Sequence, residues 1–170
     1  MYKRQVKKIT PLKVFISVQT GRRYIVGYLE SGSVFMYRLD KIKDVKILEK
    51  DENFDKLKNE IENKLQYSWG VSFKKIELET LRMVLYIGKK EEYIIERLRN
   101  EGRHGVINQL TNDKWEYKIE VYDALEMLPW IRTFIGRIIS LESSNENLCR
   151  KFYRDFESVY RFYNGGKNDI

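Results

Sequence analysis

Residues 23–39 read RYIVGYLESGSVFMYRL and decide the fold of the N-terminal part of the chain. The two outer segments, 23–29 and 34–39, are rich in β-branched and aromatic residues, which favour strands. Ser31-Gly32-Ser33 lies between them and is a turn signal, because these residue types are common where a chain reverses. The sequence therefore predicts a β-hairpin over residues 23–39.

Two further strands are predicted on either side of this hairpin. Residues 12–18 alternate between two faces, with Val14 on one face and Phe15 on the other. Val45 and Ile47 indicate a fourth strand after the hairpin. Four short strands within 50 residues predict a small, strongly bent sheet or a partial β-barrel.

The spacing of apolar residues changes after this region. Four of them recur every three or four positions, as on one face of a helix: Phe54, Leu57, Ile61 and Leu65. Beyond residue 70 the chain returns to alternating strand and helix patterns. We therefore divide the chain into a small β-barrel domain at residues 1–50, a linker helix at 51–70 and a second domain at 71–170.

The second domain shows patterns in the order β-α-β-β-α-β-α. The predicted elements are a strand at 76–87, a helix at 90–101, a hairpin at 105–110 and 114–122, a helix from Asp123, a strand at 137–142 and a helix from Ser143. The last helix carries an apolar stripe: Leu148, Phe152, Phe156, Val159 and Tyr163. With right-handed crossovers this order packs as a split β-α-β, ferredoxin-like sandwich, so the predicted fold class is α+β.

The charge of the chain is concentrated at one end. The 170 residues include 32 Lys or Arg and 25 Asp or Glu, a formal net charge of +7. Residues 1–50 hold 12 basic and 4 acidic residues, a net charge of +8, so the whole excess lies there. Such a field attracts polyanions. A solvated, lysine-rich surface without a ligand is the simpler alternative, and the sequence leaves both open.

The composition argues against several kinds of chemistry. A single cysteine, Cys149, forms no intramolecular disulfide, and a single histidine, His104, disfavours a Cys/His zinc site or a Ser-His-Asp triad. The chain has no glycine-rich phosphate-binding motif and no apolar run of about 18 residues. We therefore predict a cytoplasmic protein that is not an enzyme and uses no metal or cofactor.

The order and spacing of several motifs resemble one known family. Thr10-Pro11-Leu12-Lys13-Val14-Phe15 leads to Arg23-Tyr24-Ile25, and the hairpin ends in Arg38-Leu39-Asp40-Lys41-Ile42. This arrangement resembles the WYL-domain family of bacterial transcriptional regulators. Trp69-Gly70 and the stretch from Leu128 to Gly136 resemble the C-terminal extension of that family, called WCX.

The resemblance covers nearly the whole chain and implies a ligand-sensing module. A WYL domain is a small Sm- or SH3-like β-barrel that binds a nucleic-acid or nucleotide signal, single-stranded DNA in some members. The WCX extension, similar to residues 75–163, supports homodimerisation. Family members also carry a helix-turn-helix domain and a first barrel strand upstream of Tyr2, so both are expected upstream in the full-length protein. Arg23 stands where the family has its tryptophan, which makes a role tied to an indole ring doubtful.

Five residues form the predicted ligand or nucleic-acid site: Tyr24, Arg38, Arg22, Arg23 and Lys41. A nucleic-acid strand needs cations for its phosphates and aromatic faces for its bases, and this segment interleaves both. Tyr24 could instead be half-buried core, Arg38 could pair with Asp40, and Arg22 could be a solvated turn residue.

The function also has alternatives from other classes. The chain could be a stand-alone Sm-like RNA- or single-stranded-DNA-binding protein, or an oligomerisation scaffold without a specific ligand. An aromatic cluster on the last helix is the predicted dimer surface: Tyr153, Tyr160 and Phe162.

Overall fold

The predicted hairpin is the centre of a three-stranded antiparallel sheet. A computed structural model describes residues 6–17, 20–72 and 77–165. Within them it forms two antiparallel sheets and four α-helices, which confirms the predicted mixture of helix and strand. The chain divides into two units, at residues 1–74 and 75–170, and each is described by itself.

The first sheet has the order β1-β2-β3. Its strands are β1 (Ile9–Ile16), β2 (Arg23–Leu29) and β3 (Val34–Arg38), and a 3-10 turn follows at Leu39–Lys41. The tight turn between β2 and β3 is centred on Gly32, which has a φ of 77°. A positive φ is accessible to glycine at little cost, so this residue lets the hairpin close.

A β-bulge decides which residues of β1 face the core. The pairing of β1 with β2 shifts between Pro11 and Lys13, so one residue is inserted there. Lys13 and Phe15 then pair with the β2 residues whose side chains lie on the core face of the sheet. Leu12 packs against the core on that face as well. Alternation along the sequence alone places Leu12 and Val14 together, but the bulge separates them, and Val14 is 55% exposed.

Helix α1 (Phe54–Leu65) covers one face of this sheet. Its Ile61 is fully buried against Val26 and Tyr28 of β2, with Leu57 and Leu65 beside it. The Tyr28 hydroxyl donates to Glu60 at 3.3 Å. The sequence predicts this helix as a linker, whereas in the structure its Leu57, Ile61 and Leu65 belong to the core of the first unit.

The predicted fourth strand is wrong. The stretch after the 3-10 turn forms no strand, and Val45 and Ile47 are 80% and 90% exposed. Alternating apolar and charged residues favour a strand only if an edge is there to pair with. No described strand pairs with these residues, so within the described part of the chain the first unit is an open three-stranded sheet and not a closed barrel.

The second sheet has the order β5-β6-β4-β7, with all neighbours antiparallel. Its strands are β4 (Glu79–Tyr86), β5 (Val106–Gln109), β6 (Lys114–Val121) and β7 (Ile138–Ser143). Helix α2 (Glu92–Glu101) connects β4 to β5, and a 3-10 turn (Ala124–Met127) with helix α3 (Leu128–Arg132) connects β6 to β7. Helix α4 (Glu146–Gly165) ends the described chain. Strands β4 and β5 run parallel with β6 between them.

Tyr117 of β6 organises the covered face of the second sheet. Its ring is fully buried and lies 5.2 Å from the ring of Trp130 on α3. Its hydroxyl donates to the carbonyl of Gly102 at 2.7 Å, just after α2. The turn after α2 runs so close to the ring that a Cβ on Gly105 would lie 2.2 Å from it. Glycine is therefore required at that position.

The opposite face of this sheet carries an ionic network across its strands. Glu116 is the centre, with a side chain only 6% exposed. It accepts from Arg82 at 2.6 Å, from Lys118 at 2.9 Å and from Asn108 at 3.3 Å. These donors, Arg82 first, lower the pKa of Glu116 to about 2, because they stabilise the ionised carboxylate.

The apolar stripe of α4 is buried in the first half of the helix and exposed in the second half. Leu148 and Phe152 are buried, as the sequence predicts. Phe156, Val159 and Tyr163 continue the same stripe but are 46–75% exposed. The predicted stripe therefore continues along the helix beyond the point at which its residues are buried.

Gly105→Ala should destabilise the second unit, because the new methyl group overlaps the buried ring of Tyr117. We expect the free energy of unfolding to fall by about 1–3 kcal/mol, measured by urea denaturation. Gly136→Ala is the matched control, since a Cβ there meets nothing within 4 Å, and it should change stability by less than about 0.5 kcal/mol. Equal stability of the two variants would contradict the close packing at Gly105.

Glu116→Gln should reduce the acid sensitivity of the protein. The folded protein keeps the Glu116 carboxylate ionised to lower pH than the unfolded chain does, because its pKa falls from 4.5 to about 2. Its stabilising contribution is therefore complete above about pH 4.5 and is lost as the pH falls towards 2. The measurement is the free energy of unfolding against pH. Glu142→Gln, which removes the exposed partner of Arg82, is the control, and identical acid profiles for wild type and Glu116→Gln would refute this account.

Candidate nucleic-acid interface

Three side chains form a row across the first sheet. Phe15 of β1 pairs with Tyr24 of β2, and Tyr24 pairs with Arg38 of β3. Directly opposed residues of antiparallel strands project from the same face, so two aromatic rings and a guanidinium lie side by side. The row crosses three strands at about 4.8 Å per strand, a span of roughly 10 Å. Tyr24 and Arg38 thus lie directly opposite each other on neighbouring strands.

The row remains partly accessible to solvent. Phe15 and Tyr24 are half-buried, and the Arg38 side chain is 32% exposed. The neighbouring row, which contains Val26 and Met36, packs against α1. Within the described residues the Tyr24 hydroxyl makes no hydrogen bond, so its position is not fixed by a polar partner in the core.

Arg38 is held by its neighbour Asp40. The guanidinium donates to both carboxylate oxygens, from Nε at 2.9 Å and from Nη2 at 2.5 Å. The bond to Asp40 raises the pKa of Arg38, and Arg38 in turn lowers the pKa of Asp40. The alternative that Arg38 forms an ion pair with Asp40 is thus what the structure shows. The pair lies at the surface and also orients the guanidinium next to Tyr24.

The other predicted site residues are spread around this row. Lys41 lies in the 3-10 turn after β3, where its charge also lowers the pKa of Asp40. Arg22 is exposed in the turn before β2, and its backbone N–H donates to Thr20 at 3.4 Å. Arg23 pairs with Ile16 on the other face of the sheet, so it does not join Tyr24 and Arg38.

Phe15 is the residue that the sequence-based site prediction missed. The alternation of residues 12–18 placed it correctly opposite Val14, but only the register of β1 against β2 shows that it lies beside Tyr24. The sequence signal was limited to this alternation, which does not say which residue of β2 lies opposite Phe15. The row can offer two aromatic faces to bases, and Arg38 can offer a bidentate donor to a phosphate that competes with Asp40.

A separate cleft lies in the second unit, next to the start of α2. It has a volume of about 540 Å³, and Trp115 forms part of its wall. Four charged side chains around it cancel one another in charge: Lys89, Arg99, Glu92 and Glu96. This balance gives the cleft no preference for an anion, in contrast to the first sheet.

The part of the chain that the structure describes contains no group of three or more His, Cys, Asp or Glu side chains placed to hold a metal ion. None of the described helices combines the length and apolar character needed to cross a membrane. The His104 ring, in the turn before β5, lies 2.9 Å from the carbonyl oxygen of Glu120 in β6.

Comparison with known proteins adds no relative. No family model matches the chain, and no curated protein matches it either. The resemblance to WYL-domain regulators therefore rests on the motifs at residues 10–15, 23–25 and 38–42. The functional argument rests on the row of Phe15, Tyr24 and Arg38.

Proposed function

We propose that the first unit binds a nucleic-acid or nucleotide ligand on the row of Phe15, Tyr24 and Arg38. The observation that carries this proposal is the register that aligns two partly exposed aromatic rings with a guanidinium. Bases stack on aromatic faces irrespective of sequence, at about 1–3 kcal/mol per base, and phosphates bind arginine through paired hydrogen bonds. Single-stranded DNA is the preferred ligand class, since its bases are free to stack.

The electrostatics of the segment support this ligand class. Residues 1–50 carry the entire positive excess of the chain, a net charge of +8. Arg22 and Lys41 are exposed near the ends of the strands that hold Tyr24 and Arg38. Both lie at the end of the sheet where Tyr24 and Arg38 pair, because β2 begins and β3 ends there. A phosphate backbone bound at the row would meet these further cations at that end.

The finer architecture is part of the same proposal. The open sheet of the first unit is proposed to be part of an Sm- or SH3-like barrel, supported by its three antiparallel strands. The second unit is proposed as a ferredoxin-like WCX domain, supported by its strand order β5-β6-β4-β7 with β4 and β5 parallel. The chain would then be the effector-sensing and dimerising region of a cytoplasmic bacterial transcriptional regulator without enzymatic activity, with a helix-turn-helix domain upstream.

Two other functions compete with this one. A stand-alone single-stranded-nucleic-acid-binding protein would use the same row, and the coding frame upstream of the Met1 codon separates it from a regulator. An in-frame helix-turn-helix supports the regulator. An oligomerisation scaffold would bind all polyanions weakly and with the same affinity. Substitutions in the row would not change that affinity.

Arg38→Ala should weaken the binding of a short single-stranded DNA by about 1–3 kcal/mol, because it removes the bidentate phosphate donor. The measurement is fluorescence anisotropy of a labelled strand over a series of salt concentrations. Lys8→Ala is the matched control. Lys8 is exposed and ion-paired with Glu30, and it lies about 20 Å along the strand from Phe15. If Arg38→Ala and Lys8→Ala weakened the binding of the strand equally, the segment would be a general electrostatic surface, and a specific site at the row would be rejected.

Asp40→Asn should strengthen the binding of the same strand. The carboxylate competes with a phosphate for the Arg38 guanidinium, and its removal also takes away one negative charge beside the row. An exposed ion pair contributes only about 0–1 kcal/mol, so the thermal midpoint should change little. Weaker binding of Asp40→Asn would indicate that Asp40 positions Arg38 for the ligand and does not compete with it.

A further inference from the structure

The second half of α4 extends beyond the fold that its first half belongs to. Phe152 is 3% exposed, and within the described part of α4 Asp155 is the last residue with an ion pair to another element, to Arg132 of α3. Every residue from 156 to 164 is exposed. More than two turns of helix therefore continue without contributing to the core of the second unit.

This projecting segment carries an apolar surface of five residues, here called the α4 stripe: Phe156, Val159, Tyr160, Phe162 and Tyr163. Their exposed fractions run from 46% to 80%. Three of them, Phe156, Val159 and Tyr163, continue from Phe152 at spacings of four, three and four residues. Alternating spacings of three and four residues place these side chains along one line of the helix, the seam, as in helices that pack against another helix. Tyr160 and Phe162 flank this seam and widen the apolar surface.

The charges around the stripe indicate what kind of surface can cover it. Residues 156–164 contain one acid and one base, Glu157 and Arg161, which pair with each other at 3.7 Å off the seam. Covering the stripe would therefore bury no charge. A nucleic acid or an anionic membrane would need an excess of cations here, and the segment is neutral. The complementary partner is an equally neutral, apolar helix face.

We propose that the α4 stripe packs against the α4 stripe of a second copy of the chain, as a two-fold helix pair. A seam with this spacing matches its own copy, and a two-fold contact uses the same patch on both partners. Four aromatic side chains of about 150–250 Å² each, exposed as observed, offer on the order of 500 Å² per copy. A standard interface has about 800 Å² per partner, so this dimer should dissociate on dilution. This contact rests on the dimerising role in the proposed function and names the surface for it, and it does not depend on ligand binding at the first sheet.

The test is sedimentation equilibrium of the full chain over a wide range of concentrations. Wild type should approach twice its mass of 20.5 kDa at high concentration. Val159→Glu places a charge at the centre of the seam and should keep the protein monomeric at every concentration. Ser158→Glu introduces the same charge at the adjacent exposed position outside the stripe, and it should dimerise like wild type. Tyr160→Glu, at a residue 63% exposed, is a second disruptive variant in case Val159→Glu affects folding.

Each alternative outcome overturns the proposal. A monomeric wild type at the highest concentration would leave the stripe to another occupant. A Val159→Glu variant that is folded by circular dichroism and still dimeric would place the dimer contact elsewhere. If Val159→Glu and Ser158→Glu weakened dimerisation equally, the cause would be the added charge and not the position of the residue in the seam. Binding of the monomer to anionic vesicles, abolished by Val159→Glu, would assign the stripe to a lipid surface.

Discussion

The packing of Ile61 against Val26 and Tyr28 is the interaction on which the first unit depends. A three-stranded sheet has two faces, and nothing in its hydrogen bonding decides which of them becomes the core. Ile61 is fully buried and packs on the face that carries Val26, so its packing makes that face the core of the unit. Full burial of an isoleucine contributes about 1.5–3 kcal/mol. Because β-strand side chains alternate, fixing Val26 inward also fixes Tyr24 on the same face, two residues away.

The bulge at Leu12 completes the same constraint from the neighbouring strand. Without it, Val14 rather than Phe15 would stand beside Tyr24, since a shift of one residue exchanges the two faces of a strand. With it, Phe15 joins Tyr24 and Arg38, and Val14 points away from α1. The candidate site is therefore a consequence of core packing and of one inserted residue. Neither acts on the ligand directly.

Much of the fold follows from local sequence signals, and the failures share one cause. The hairpin at 23–39, helix α1 and the elements of the second unit are encoded by spacing and turn residues within each segment. The bulge at Leu12 and the missing strand at Val45 depend on which edge lies opposite, and a single segment contains no such information. The exposed half of α4 has the same origin, because its periodicity is that of a buried helix and only the extent of the sheet shows where burial stops.

The candidate site, like the fold, follows in part from local sequence signals. Tyr24 and Arg38 follow from alternation on two strands of one hairpin, whose register a short turn fixes. Arg23 is also a predicted binding residue, but it lies on the opposite face from Tyr24, because adjacent strand residues face opposite ways. Phe15 could not be assigned without the register of β1.

The two proposed surfaces differ in the force that would drive binding. The row on the first sheet sits in a segment with a net charge of +8, so its contacts with phosphates weaken as salt rises. The α4 stripe has no net charge and would associate by burying apolar area, which salt does not screen. The positive excess lies in residues 1–50, whereas residues 156–164 contain one acid and one base. Repulsion between two basic chains therefore does not act locally at a contact formed by the α4 stripe, since charges farther apart than a Debye length are largely screened.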